Sequence, residues 1–88
     1  MSIKINNWEE YWKTYDLLIS KIEKDNLAKI AIDLKTIKCY VNGLTDGWYD
    51  FLKGFEDVIK NNRNLLSSEE IEISTLLLNY IKTVVDNR

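Results

Sequence analysis

The 88 residues of this sequence include no histidine. The side chains with which it could do chemistry are therefore its carboxylates, lysines, tyrosines and single cysteine. Histidine is the commonest general base and metal ligand, so its absence excludes Ser-His-Asp catalysis, Cys-His catalysis and histidine-bound zinc within the chain. Cys39 has no histidine to activate it, and we interpret it as a small apolar filler. We therefore expect no catalytic site and no enzymatic activity.

Ion and phosphate sites also have recognisable spacings, which are missing here. A di-metal helical bundle uses Glu-x-x-His, and an EF-hand loop uses D-x-[DN]-x-[DN]-G. Gly43, Gly47 and Gly54 do not form the GxxxxGK[ST] pattern of a phosphate loop. We expect no metal site and no cofactor, with an all-carboxylate calcium or magnesium site as the alternative. Gly54 falls inside a helical pattern, which indicates either close helix approach or simple tolerance.

Composition narrows the class of protein. Hydrophobic residues make up 45% of the chain and charged residues 30%, which is typical of a globular protein. A net charge of -2 argues against a nucleic-acid partner, since such affinity needs a basic face. No apolar run approaches the roughly 20 residues that span a bilayer, and one cysteine fits a reducing compartment. We expect one cytoplasmic domain over residues 1–88, without a membrane partner.

The elements that must position these side chains are helices. Apolar residues recur every three or four positions in four segments, which we expect to run from Trp8 to Lys24, from Leu27 to Val41, from a cap at Thr45 or Asp46 to the polar residues 61–64, and from a cap at Ser67 to near Asp86. Short turns between such helices favour an all-α, four-helix antiparallel up-and-down bundle. The alternation Ile30, Ile32, Leu34 also suits a strand, but the sequence offers it no partner strand.

Helix starts and core residues follow from the same pattern. Asn7 with Glu10, and Ser67 with Glu70, have the spacing of N-terminal capping signals, and Asn42-Gly43 is typical of a helix end. The residues expected to be largely buried are Trp8, Tyr15, Leu34, Phe51, Phe55, Leu77 and Tyr80.

Two helices carry apolar residues beyond their core stripe. The fourth has Ile71, Leu78 and Val85 seven residues apart, and the second has Ala28, Ile32 and Cys39. One interpretation is that these helices are buried on two sides. The other is an interface with a partner or a second copy, because exposed apolar patches usually mark contact sites. Ile71, Leu78 and Val85 are the candidate self-association residues.

A second candidate surface is acidic and edged by aromatic side chains. Helical spacing aligns three acids with Trp12 on the first helix and three acids near Tyr49 on the third. The candidate partner-binding residues are Glu9, Trp12, Asp16, Glu23, Asp46, Tyr49, Asp50 and Asp57. These faces are either simply solvated or dock onto a basic cleft, where charge steers the encounter and an aromatic residue is the anchor.

The stretch from Lys35 to Val85 resembles the small helical immunity proteins of bacterial polymorphic toxin systems, in particular MafI-like immunity proteins. The resemblance lies in an apolar helix, a short Asn-Gly turn, the run Gly47-Trp48-Tyr49-Asp50-Phe51-Leu52, a polar break, and Ser67-Ser68-Glu69-Glu70 opening a last helix. It implies a stoichiometric inhibitor that occludes a cognate toxin. The aromatic-rich first helix and Trp48 depart from the pattern, so only the class of function is transferred.

Two functions of different classes remain open. The first is a non-catalytic protein-binding module of the immunity or inhibitor class, including the related phage anti-defence proteins. Small size, acidic balance and missing catalytic chemistry favour it. The second is a structural or regulatory helical homodimer. A toxin gene beside this one would favour the first.

Overall fold

Four helices make up the part of the chain that the structure describes, residues 4–41 and 45–86 of a computed structural model. They are α1 (Trp8–Lys24), α2 (Ala28–Lys38), α3 (Thr45–Asn61) and α4 (Ser68–Asp86). The all-α prediction is confirmed, and the alternative of a strand after Ile30 is wrong because that segment is helical. No helix in the described ranges has the length and apolarity needed to cross a membrane.

Side-chain caps begin α1 and α4 as the sequence predicts. Asn7 Oδ1 accepts the Glu10 N–H at 2.9 Å, and Glu10 Oε1 accepts the N–H of Asn6 rather than that of Asn7. At α4 the box is reciprocal, since Ser67 Oγ accepts the Glu70 N–H at 3.1 Å and Glu70 Oε1 accepts the Ser67 N–H at 2.8 Å. Each cap satisfies backbone donors that have no partner within the helix.

The α2–α3 connection differs from its predicted bounds. Helix α2 ends at Lys38, because the next amides bond three residues back, as Tyr40 does to Ile37 at 3.0 Å. Helix α3 already includes Thr45, so the two residues predicted to cap it lie in its first turn. The expected terminator Asn42-Gly43 lies outside the described residues.

The contacts between helices define an up-and-down bundle. Each helix packs against two neighbours in the order α1, α2, α3, α4 and back to α1, while the diagonal pairs have no close backbone approach in the described ranges. Helices α1 and α4 are antiparallel, because Lys21 pairs with Glu69 at one end and the ring of Trp8 packs against that of Tyr80 at the other.

Aromatic rings fill the space between the diagonal helices α1 and α3. The ring centroids of Trp8 and Trp48 are 4.6 Å apart, and those of Tyr15 and Phe55 are 5.3 Å apart, so these two helices run parallel. Phe51 lies between these contacts, 5.4 Å from Tyr15. Large aromatic side chains bridge a gap that backbones of diagonal helices cannot close, and they supply much of the buried area.

The core is mostly as predicted. Five of the seven expected residues are fully buried, namely Tyr15, Leu34, Phe51, Phe55 and Leu77. Trp8 and Tyr80 are only half-buried, because they pack edge-to-face on each other at the end of the bundle, where part of each ring stays in solvent.

Two buried tyrosine hydroxyls have different surroundings. The hydroxyl of Tyr15 donates to the Leu34 carbonyl at 2.6 Å and so joins α1 to α2. The Tyr11 hydroxyl has no hydrogen-bond partner within the described residues. Burial, followed by a nearby tyrosine, raises the pKa of both groups, so each stays a neutral phenol.

At Gly54, α3 packs closely against Ile37 of α2. A Cβ at this position would lie 3.0 Å from Ile37 Cγ2 and 3.8 Å from the ring of Tyr40. Of the two explanations that the sequence left open for a glycine inside this helix, the structure supports close helix approach.

Candidate partner-binding surface

The acidic edge of α1 is neutralised within the chain. Asp16 pairs with Lys38 at 3.5 Å and Glu23 with Lys35 at 3.1 Å, both across the α1–α2 seam. Glu9 pairs with Lys13 one turn along its own helix. Exposed ion pairs of this kind each stabilise by about 0.2–1 kcal/mol. Three of the predicted partner-binding acids are therefore already engaged, two of them in holding α2.

Trp12, predicted as the aromatic anchor of this edge, belongs mainly to the core. Its ring packs 5.5 Å from those of both Tyr15 and Phe51, and the side chain is half-buried. The ammonium group of Lys38 lies 5.0 Å from the Trp12 ring centroid, a cation–π distance. The core rings and Lys38 therefore already contact the side chain that was predicted as an anchor.

The predicted residues of α3 have a different environment. Tyr49 is 51% exposed, and Asp50 and Asp57 are exposed as well. Over the ranges 4–41 and 45–86, neither aspartate has a basic group within ion-pair distance. Nothing is described of the Asp46 side chain. The other seven candidates divide into an α1 set that makes contacts within the chain, Glu9, Trp12, Asp16 and Glu23, and an α3 set that faces solvent, Tyr49, Asp50 and Asp57.

Tyr40 is a surface residue that the sequence analysis did not single out. The residue is 45% exposed, and the edge of its ring lies over Gly54. Gly54 is one helical turn after Asp50 in α3. Tyr49 precedes Asp50 in sequence, and Tyr40 belongs to the turn that follows α2. We call Tyr40, Tyr49, Asp50 and Asp57 the tyrosine–aspartate face. The signal that could have revealed Tyr40 was the glycine that leaves room for its ring.

The candidate self-association stripe of α4 lies beside α3. Ile71 and Leu78 are half-buried and pack against the core, and the Val85 side chain is outside the described ones. Leu78 and Ile59 line a groove of about 320 Å³ between α3 and α4. The other lining residues are Lys53, Glu56, Asp57, Lys60 and Arg63.

The additional stripe of α2 is more exposed than that of α4. Ala28 and Cys39 are exposed, and Ile32 is 59% exposed, whereas Leu78 is half-buried. Among the described side chains of the two stripes, those of α2 are therefore the more accessible to another molecule.

The site has none of the features of a metal centre in the described part of the chain, where no three cysteine or acidic side chains gather closely enough to hold an ion. Comparison with known proteins gives no further assignment: no family model matches the sequence, and neither a curated protein nor a solved structure is detectably similar to it.

Proposed function

We propose that this protein is a non-catalytic protein-binding module and that it contacts its partner through the tyrosine–aspartate face. The observation that carries the proposal is the contrast between the two acidic surfaces. The acids of α1 are paired with lysines, whereas Asp50 and Asp57 have no ion-pair partner in the described ranges, and Asp50 adjoins half-exposed Tyr49 in sequence. Tyrosine is enriched among residues that dominate binding energy, and unpaired carboxylates attract a basic partner.

The class of partner is a basic protein surface, and the class of function is an immunity or inhibitor protein that occludes a cognate toxin. The resemblance of the segment from Lys35 to Val85 supports this class, and all four residues of the tyrosine–aspartate face fall within that segment. A phage anti-defence protein would bind its target by the same physical means. In either role the protein would act by covering a surface.

Neutralisation of a toxin encoded by a neighbouring gene tests the proposal. Co-expression of the chain with that gene product in a bacterial host should restore growth, and Asp50→Lys should abolish the rescue because it places a like charge against a basic partner. Tyr49→Ala should weaken it, since loss of a central aromatic contact typically costs 2 kcal/mol or more, about 30-fold in affinity.

The matched control is Glu72→Lys, which makes the same charge change at an exposed position of α4. Rescue by Glu72→Lys together with failure of Asp50→Lys would locate the interface on α3. Equal behaviour of the two variants, with both folded by circular dichroism, would remove the tyrosine–aspartate face from the proposal.

A structural or regulatory homodimer is the second candidate function. The exposed apolar stripe of α2, with Ile32 at its centre, favours it. Sedimentation equilibrium of the wild-type chain and of Ile32→Asp separates the two candidates: a dimer that Ile32→Asp converts into a folded monomer would support it, and a wild-type monomer at all concentrations would exclude it.

A further inference from the structure

Glu70 is a carboxylate shielded from solvent, with the residue only 1% exposed. Oε1 accepts the Ser67 N–H, but Oε2 has no donor within the described residues. An ionised carboxylate that is buried with an unsatisfied oxygen is strongly disfavoured relative to water. The capping box explains one oxygen of Glu70 and leaves the other unexplained.

A second carboxyl lies close to that side chain. Asp25 lies within hydrogen-bonding range of Glu70. It is the C-cap of α1 and precedes Asn26, whose left-handed φ of 63° turns the chain toward α2. Two ionised carboxylates can only repel each other, because each is an acceptor without a donor. A hydrogen bond between them requires a proton on one.

The charged groups on the surrounding helices do not supply that proton or cancel the repulsion. Lys21 of α1 pairs with Glu69, the neighbour of Glu70. Asp25 is the charged side chain that acts on Glu70, and no charged group of α2 or α3 in the described ranges does so. Burial raises the pKa of Glu70, the Asp25 hydrogen bond raises it further, and the Ser67 amide opposes both.

We propose that Asp25 and Glu70 share one proton, which latches the α1–α2 turn to the first turn of α4 and is released as the pH rises. The donor is the Glu70 carboxyl, whose protonated oxygen faces the Asp25 carboxylate while Oε1 keeps its bond to Ser67. The latch joins two segments 45 residues apart in the chain. It is independent of the partner surface proposed above.

The pH dependence follows from the direction of the shift. The folded-state pKa of Glu70 lies above its ordinary value of 4.5. The stability that the proton contributes is therefore complete below about that pH and is lost as the pH rises through the raised pKa. Carboxylates in ion pairs, such as Glu23 with Lys35, have the opposite dependence and weaken on acidification.

Urea unfolding of wild type and Glu70→Gln between pH 4.5 and 8 tests the latch. Glutamine mimics the protonated acid, since its amide can donate to Asp25 while its oxygen still accepts from Ser67. We expect the two proteins to match near pH 4.5. Above it, the folding equilibrium constant of Glu70→Gln relative to wild type should rise by up to tenfold per pH unit, until the raised pKa is passed.

Glu10→Gln is the matched control, because Glu10 fills the equivalent capping role at α1 and also accepts a backbone N–H. This variant should gain no stability over wild type at pH 8. Asp25→Asn should resemble Glu70→Gln at high pH, because its amide can donate to the free oxygen of Glu70.

One result overturns the proposal directly. A carbon-13 NMR titration of the Glu70 carboxyl in the wild-type protein must show a midpoint above 4.5, and a midpoint at or below that value means an ordinary ionised capping glutamate. Loss of stability at pH 8 in Glu70→Gln, equal to any loss in Glu10→Gln, would lead to the same conclusion.

Discussion

At the scale of single residues, small size at position 54 matters as much as any polar group. The absence of a side chain lets α3 approach Ile37 and leaves room for the ring of Tyr40. Glycine in a helix interior costs about 1 kcal/mol relative to alanine, so close packing must compensate for it.

Gly54→Leu should lower the free energy of unfolding by about 1–3 kcal/mol, the usual cost of overpacking, despite the better helix propensity of leucine. Chemical denaturation measures the change. Lys53→Leu is the control, since it introduces the same side chain one position away, at an exposed site. A Gly54→Leu variant as stable as Lys53→Leu would contradict the close approach of α2 and α3.

At the scale of the helices, the sequence predicts those features that depend on interactions between residues a few positions apart. The bounds of α1, the Ser67–Glu70 box and the helical nature of α2 were all foreseen, because caps and periodicity act over a few residues. The early end of α2 was not foreseen, since three-residue hydrogen bonds at Cys39 to Val41 leave no clear pattern in the sequence. Ion pairing was also hidden: no spacing within α1 reveals that Asp16 faces Lys38 on another helix.

Helix α4 offers a test of its apolar stripe. Leu78 is half-buried in the groove that Lys53, Lys60 and Arg63 also line. Leu78→Glu should stay folded and lose about 1 kcal/mol, roughly half the value of a fully buried leucine. Leu78→Lys should lose more, because the three basic side chains outnumber the two acidic ones, Glu56 and Asp57, that line the groove, and added salt should reduce the difference between the variants.

Sedimentation of the same two variants addresses self-association through Ile71 and Leu78. An unchanged association state would mean that the α4 stripe only packs against α3. Conversion of a dimeric wild type into a folded monomer by both variants would show that the stripe is an interface, as one interpretation of the sequence holds.

At the scale of the whole molecule, the order of the helices around the bundle follows the order of the chain. Short turns made this topology predictable, since successive helices must be neighbours. The aromatic bridge between α1 and α3 was less accessible, because periodicity identifies the buried face of each helix without its diagonal partner. The packing of the helices also decides which acids face a lysine and which face solvent. The sequence therefore suggests candidate site residues but does not show which of them are already paired within the chain.

The closed ring of helices predicts that the chain tolerates circular permutation. The start of α1 and the last turns of α4 lie at the same end of the bundle, where Trp8 packs against Tyr80. Joining Arg88 to Met1 through a short Gly-Ser linker and opening the chain between α2 and α3 gives the order α3, α4, α1, α2. Every pair of neighbours is kept, and the new connection joins two helices whose linked ends lie at the same end of the bundle. Because loop-closure entropy changes slowly with length, the permutant should retain the helical circular dichroism of the parent and lose no more than about 1–2 kcal/mol of stability.

A second permutant, opened between Gly54 and Phe55, is the control. It cuts α3 at its buried centre and should lose most of its cooperative unfolding. If the first permutant unfolded as readily as the second, the α2–α3 connection would be essential to the fold, and the ring of four pairwise contacts would not be sufficient to define it.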